Sequence, residues 1–147
     1  MRLVLLMVCL LLAGNAAWAG EGDIAGIIKS VTGPAYVIRA GGEQPIVAAA
    51  DMKLSPGDTV RTDWGGSVGL IFRDDTVVAL GPGSEFVIEQ FKFRPVEGEL
   101  TFFARILRGT INFISGQITR LAPDNVRLET PDATLAVRGT QILVEIR

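Results

Sequence analysis

Short apolar stretches, broken at regular intervals by turn residues, constrain this 147-residue chain more than any other feature of its sequence. The chain holds 17 glycines and 7 prolines, and most of them separate one apolar run from the next. Within a run the apolar residues alternate, as at Val68, Leu70 and Phe72, which is typical of a strand with one buried face. About ten such strands, with turns roughly every 8–12 residues, predict a single all-β domain built as a sandwich, roll or short solenoid.

The clearest predicted hairpin joins Glu85–Phe93 to Glu99–Leu107 across a loop at residues 95–98. A helix is the competing interpretation of the second segment, because Leu100 and Phe103 also fit helical spacing. Four alternating apolar positions favour the strand, and no helix longer than a turn or two is expected in the domain. A separate short strand is predicted at residues 110–115, between two glycines.

Four of the five phenylalanines in this hairpin lie near its loop. Those on one face are expected to belong to the core. If the opposite face is also apolar, it is either buried in the fold or marks a surface for a partner. The four residues are Phe91, Phe93, Phe102 and Phe103.

The N-terminus has the layout of a secretory signal peptide. A single positive charge at Arg2 precedes a short apolar run, and small residues then end the segment at Ala19. Cleavage is predicted between Ala19 and Gly20, which leaves a domain at residues 20–147 in the periplasm. The apolar run is short for a membrane span, so an uncleaved anchor is the less favoured alternative. No later segment approaches the length of a span.

Residue types available for chemistry are few. The chain has no histidine, and its one cysteine, Cys9, lies in the predicted signal peptide. A histidine base, a histidine-ligated zinc site and a disulfide in the mature chain are therefore excluded. The chain has 14 basic and 16 acidic residues, and the basic residues do not cluster along the sequence. This distribution argues against a nucleic-acid partner. We expect no catalytic residue, metal ligand or cofactor.

Three isolated features of the sequence are candidate sites. The adjacent Asp74 and Asp75 are too few for a hard-cation site and are interpreted as a turn with exposed charges. Ser84 and Ser115 lack a visible activating base. Trp64 stands beside two glycines and could stack on a sugar, although packing at the edge of the core is the more ordinary role for an aromatic residue in a turn.

Several motifs in order along the chain resemble the FecR domain family. The segment "TPDATLAVRGT" at residues 130–140 is similar to the family's T-P-x-A-T-x-x-V-R-G-T hallmark. Residues 54–62, "LSPGDTVRT", resemble its L-x-x-G-D-x-V-x-T element. Residues 71–88 and 107–118 resemble its F-x-D-G-S hairpin and its glycine-flanked strand, with Asp75 where the family usually has glycine. The resemblance covers roughly residues 54–144, and the family-motif residues are Gly57, Asp58, Val60, Thr62, Thr130, Pro131, Ala133, Thr134, Val137, Arg138, Gly139 and Thr140.

The resemblance implies a non-catalytic binding or sensing module of the cell envelope that acts through a protein partner, with an exposed sheet edge as one route to that partner. The regulators that name the family carry a sigma-regulating segment and a membrane helix before this domain. Here a signal peptide is predicted instead, so anti-sigma activity is not expected. A glycan- or peptidoglycan-binding accessory domain is the alternative, and an enzyme is the least favoured class.

The alternation of apolar residues changes parity at the end of the hallmark. Leu135 and Val137 are odd-numbered, whereas the next apolar residues, beginning at Ile142, are even-numbered. A bulge or sharp bend at Gly139 would let both sets face one core. Arg138 beside it is either a solvated outer residue or a clamp paired with a carboxylate, for which Asp58 is the first candidate.

Overall fold

A computed structural model describes residues 24–147 as a single all-β domain, which confirms the predicted fold class. The predicted signal peptide at residues 1–19 and its cleavage site, Ala19–Gly20, lie outside the described residues. Among residues 24–147, no helix has both the length and the apolar character that crossing a bilayer requires.

The described residues form twelve strands and three short helical segments. The strands are β1 (Gly26–Thr32), β2 (Ala35–Ile38), β3 (Pro45–Val47), β4 (Lys53–Leu54), β5 (Thr59–Thr62), β6 (Ser67–Phe72), β7 (Val77–Leu80), β8 (Glu85–Arg94), β9 (Glu99–Ile114), β10 (Val126–Glu129), β11 (Thr134–Ala136) and β12 (Gln141–Ile146). The helical segments are one five-residue α-helix, α1 (Gln117–Leu121), and two 3₁₀ turns, at Pro95–Glu97 and Pro123–Asn125.

Strand β9 belongs to both halves of a continuous, curled sheet. Its first part pairs with β8 and with β10, and its last part pairs with β7 and with β12. The β2 half therefore has the order β3-β2-β5-β8-β9-β10-β11, and the β1 half has the order β4-β1-β6-β7-β9-β12. The predicted hairpin of residues 85–93 and 99–107 is confirmed as β8 and β9, and its second segment is a strand rather than a helix.

The prediction of a separate strand at residues 110–115 was wrong, because this segment continues β9. Gly109 does not end the strand but bends it, with φ of +93°. The bend is sharp: the rings of Phe102 and Phe113, eleven residues apart, have centroids 5.5 Å apart. A straight strand would separate them by about 36 Å. The bend therefore folds β9 back on itself and places the two halves face to face.

The core lies between the two halves and is rich in aromatic rings. Phe72 of the β1 half contacts both Phe91 and Phe102 of the β2 half, with ring centroids 5.6 Å and 4.8 Å apart. Phe93 is partly buried against the same cluster. Phe103 lies on the opposite face, half-buried, with the Arg127 guanidinium 4.4 Å from its ring centroid. Three of the four phenylalanines near the hairpin loop thus serve the core, and Phe103 carries a cation on the outer face.

One side of the curled sheet is closed by the chain itself. Residues 48–52 run between the two halves, and the N–H of Ala48 donates to the carbonyl of Ala35 in β2. On the other half, the N–H of Ile28 in β1 donates to the carbonyl of Met52, and the N–H of Asp51 donates back to the carbonyl of Ile28. A short segment that contains a turn at residues 50–51 therefore joins the β1 half to the β2 half on this side.

Candidate partner-binding site

The carboxylate of Asp58 fixes the first family motif. It is buried, with 2% of the side chain exposed, and accepts hydrogen bonds from the N–H groups of Ala40 (3.0 Å) and Ser55 (2.8 Å). An ion pair of 2.8 Å joins it to the guanidinium of Arg39. Gly57 before it has φ of +91°, a conformation that favours glycine. Asp58 therefore holds the turn at residues 55–58 against the end of β2.

Thr62, Ser84 and Thr110 form a polar chain at the bend of β9. The Thr62 hydroxyl donates to the carbonyl of Gly81 (2.7 Å) and accepts from the N–H of Ser84 (2.9 Å). The Ser84 hydroxyl in turn accepts from the N–H of Thr110 (3.1 Å). A Cβ on Gly109 would overlap Ser84, so only glycine allows this approach. Elements that are far apart in the sequence thus meet at the one point where β9 turns. Val60, between Asp58 and Thr62, is fully buried.

Asp74 is not exposed, contrary to the prediction for the Asp74-Asp75 pair. Its side chain is fully buried, and its carboxylate accepts from the N–H and hydroxyl of Thr76 (3.2 and 2.8 Å) and from the N–H of Ile118 in α1 (3.2 Å). Asp75 is the exposed member and has φ of +68°, in the place where the family usually has glycine. The burial of Asp74 could not be predicted from the sequence, because one of its hydrogen-bond donors, the N–H of Ile118 in α1, is forty-four residues away.

The hallmark segment begins as a tight hairpin turn between β10 and β11. The N–H of Thr130 donates to the carbonyl of Ala133 (2.8 Å), and the Thr130 hydroxyl accepts from the N–H of Ala133 (3.0 Å). Pro131 occupies the corner, where its fixed φ suits a turn. Thr134, the first residue of β11, is exposed.

Gly139 lies in a bend between β11 and β12 with φ of +114°, as the change of parity predicted. The bend transfers the chain from the β2 half to the β1 half, so it separates two strands rather than bulging one. Val137 is fully buried, and Ile142 packs against the same core cluster. Ser115 at the end of β9 secures the bend, because its hydroxyl donates to the carbonyl of Gly139 (2.7 Å) and its N–H to that of Thr140 (2.9 Å).

The proposed clamp between Arg138 and Asp58 was wrong. Arg138 is exposed and forms no ion pair within the described part of the chain, whereas Asp58 is paired with Arg39. The sheet order explains the difference. Arg138 follows β11, which is four strands from β5 in the β2 half, or about 19 Å at the usual strand spacing. Arg39 follows β2, the strand directly beside β5.

Strand β12 is an unpaired edge of the β1 half. The N–H of Ser115 donates to the carbonyl of Thr140, which places the even-numbered residues of β12 in the hydrogen-bonded pairs with β9. The backbone N–H and C=O groups of Gln141, Leu143 and Glu145 therefore point away from β9, and no described strand pairs with them. The Leu143 side chain is 70% exposed beside them.

A groove runs along this edge, between β12 and the β10–β11 hairpin. Its volume is about 590 Å³. Apolar side chains from both halves line it, namely Leu135 of β11 with Val144 and Ile146 of β12, and Asp132 and Arg147 are among the polar residues at its margin. Whereas residues 48–52 close the opposite side of the sheet, no segment of residues 24–147 closes this side. We call the groove together with the free edge of β12 the open seam.

The two candidate serines are engaged with the backbone, and the candidate tryptophan is exposed. The hydroxyls of Ser84 and Ser115 are both bonded to backbone groups. Trp64 is 85% exposed, which contradicts packing at the core edge, and its indole lies over Gly83. Within residues 24–147, no three acidic side chains converge as a set of metal ligands.

These features define an all-β domain whose family motifs build a bend, two turns and an open sheet edge. The family model described as "FecR protein" matches residues 58–147, more than half of the chain, and the chain therefore belongs to the FecR family. Membership relates the domain to signalling in the cell envelope, in a family of non-enzymatic regulators. No curated protein sequence and no solved structure matches the chain significantly.

Proposed function

We propose that this protein is an exported, non-catalytic module of the bacterial periplasm that binds a protein partner in envelope signalling. The open seam is the observation that carries the proposal. It combines an unpaired strand edge, an exposed Leu143 and a groove lined by both apolar and charged residues, and edges of this kind bind partner strands by main-chain hydrogen bonds. The motif serines support a non-catalytic role, because both hydroxyls are engaged in holding the backbone.

The test is a pull-down from envelope extracts with the purified protein as bait. Wild type is compared with Leu143→Lys, which places a charge on the β12 edge, and with Val47→Lys on the edge strand β3. The two positions are matched, with 70% and 71% of their side chains exposed. We expect a protein that wild type and Val47→Lys retain and Leu143→Lys loses. Failure to enrich any protein over a bait-free column would refute the proposal.

Binding to a cell-wall glycan is the second candidate, and the exposure of Trp64 favours it. Its indole lies beside Gly83 and is 85% exposed, so it is available to stack on a sugar ring. Sedimentation with purified sacculi tests this function. Trp64→Ala should abolish co-sedimentation, while Val96→Ala, at a fully exposed apolar side chain on the β8–β9 turn, should not. If wild type stays in the supernatant, this candidate is wrong.

A further inference from the structure

We infer that the occupant of the open seam is a single extended segment of a partner protein, added as one strand beside β12. The inference rests on the proposed function only in assigning that segment to a partner. The opposite side of the sheet is already bridged, because residues 48–52 form backbone hydrogen bonds to both halves there.

The backbone groups fix how such a segment would be held. Gln141, Leu143 and Glu145 each present one free N–H and one free C=O, at alternate positions along β12. A strand in register with them would form hydrogen bonds at every second of its own residues. The β12 edge is therefore a template for an extended chain and not for a helix or a loop.

The side chains define which residues the segment should carry. Side chains of an added strand lie on the same face as their direct neighbours in β12. Residues opposite Val144 and Ile146 would point into the groove toward Leu135, and these positions call for apolar side chains. The residue opposite Leu143 would lie on the outer face, where an apolar side chain covers an exposed leucine. The partner segment is thus apolar at alternate positions, with one further apolar residue beside them, opposite Leu143.

The sheet topology explains why the segment should be single. Beyond β9 the β2 half has two strands, β10 and β11, but the β1 half has only β12. A strand added beside β12 would consequently lie opposite β11, so β11 already forms the second layer at that position. An edge strand from a two-layered body, including β12 of a second copy, would bring its own second layer against β11. A lone strand has no such layer and fits.

Amide hydrogen exchange measured by NMR tests the inference with a defined probe. The probe is a blocked eight-residue peptide, Lys-Thr-Val-Thr-Val-Leu-Val-Lys, and its control replaces the three valines and the leucine with serine. In the free protein the amides of Gln141, Leu143 and Glu145 should exchange fast, and those of Ile142 and Val144 slowly. Saturating probe should slow the three fast amides at least tenfold, whereas the control peptide should leave them unchanged.

Proline substitutions supply a matched pair of variants. Leu143→Pro removes an N–H that points away from the sheet, so the strand should still form, as prolines do on sheet edges. Val47→Pro makes the same change on β3, where the N–H also points outward, since Ala48 rather than Val47 donates to β2. Leu143→Pro should weaken probe binding at least tenfold and Val47→Pro should not. If Leu143→Pro fails to fold, Leu143→Lys takes its place with the same expectation.

Three results would overturn the inference. These are absence of probe binding, binding that leaves the three amides unprotected, and protection in the free protein that rises with its concentration, which would indicate a second copy. A pull-down partner that Leu143→Lys still retains would also contradict it while leaving the proposed function intact. Probe binding without any envelope partner would support the seam and refute the function.

Discussion

Replacing Asp74 with alanine should be among the most damaging single changes outside the apolar core. The carboxylate is fully buried and accepts hydrogen bonds from the N–H groups of Thr76 and Ile118. Asp74→Ala leaves both buried donors without an acceptor, at about 1–3 kcal/mol each, and the Thr76 hydroxyl can rotate to a new partner. The free energy of unfolding should therefore fall by about 3 kcal/mol, a large fraction of the ~5–15 kcal/mol typical of a domain.

The assay is urea unfolding of the purified protein, followed by far-ultraviolet circular dichroism. Asp75→Asn is the matched control, because it removes a charge one residue away, tolerates the left-handed conformation and leaves no buried donor. It should change the free energy of unfolding by less than about 0.5 kcal/mol. Exchange of the Ile118 amide should accelerate in Asp74→Ala more than the global loss explains, because α1 is too short to hold itself together. Equal midpoints and slopes for the two variants would refute the reasoning.

Further outcomes follow from the bend, the ion pair and the N-terminus. Gly109→Ala should cost at least about 3 kcal/mol by thermal or urea unfolding, since it combines a positive φ with overlap, whereas Gly98→Ala has a positive φ in open space and should cost about 1 kcal/mol. Arg138→Lys should unfold like wild type, within about 0.5 kcal/mol, while Arg39→Ala should lose about 1–2 kcal/mol; the reverse ranking would contradict the assigned pair. Intact mass of the protein from a periplasmic fraction should correspond to cleavage after Ala19, and a membrane-bound product that retains residue 1 would disprove export.

Much of the fold could be predicted because its signals are local. Alternation of apolar residues identified β8 and β9, and the change of parity located the bend at Gly139. Both depend only on the period of two in a strand and on the conformational freedom of glycine. Where a signal depended on distant segments, prediction failed. Gly109 looked like the end of a strand, because nothing nearby in the sequence shows that Ser84 occupies the space beside it.

The polar partners show the same limit. Asp58 was the first candidate partner of Arg138 in one of two alternatives, but it pairs with Arg39, because the partner depends on strand order, which periodicity does not encode. The open seam was anticipated only as an exposed edge of unknown position. Its location follows from the unequal number of strands beyond β9 in the two halves, which becomes visible only when all the pairings are known.

The double membership of β9 makes the domain a single cooperative unit. Each half loses an interior strand if β9 leaves it, so neither half can open fully while the other stays intact. Unfolding should accordingly be two-state. The slowest-exchanging amides of both halves should then report the same free energy of opening. Folding should depend on β9 in the same way. This strand pairs with β7 and β8, which precede it, and with β12, which follows it, so the sheet is complete only after β12 has paired. Sheets that depend on such distant pairings fold slowly.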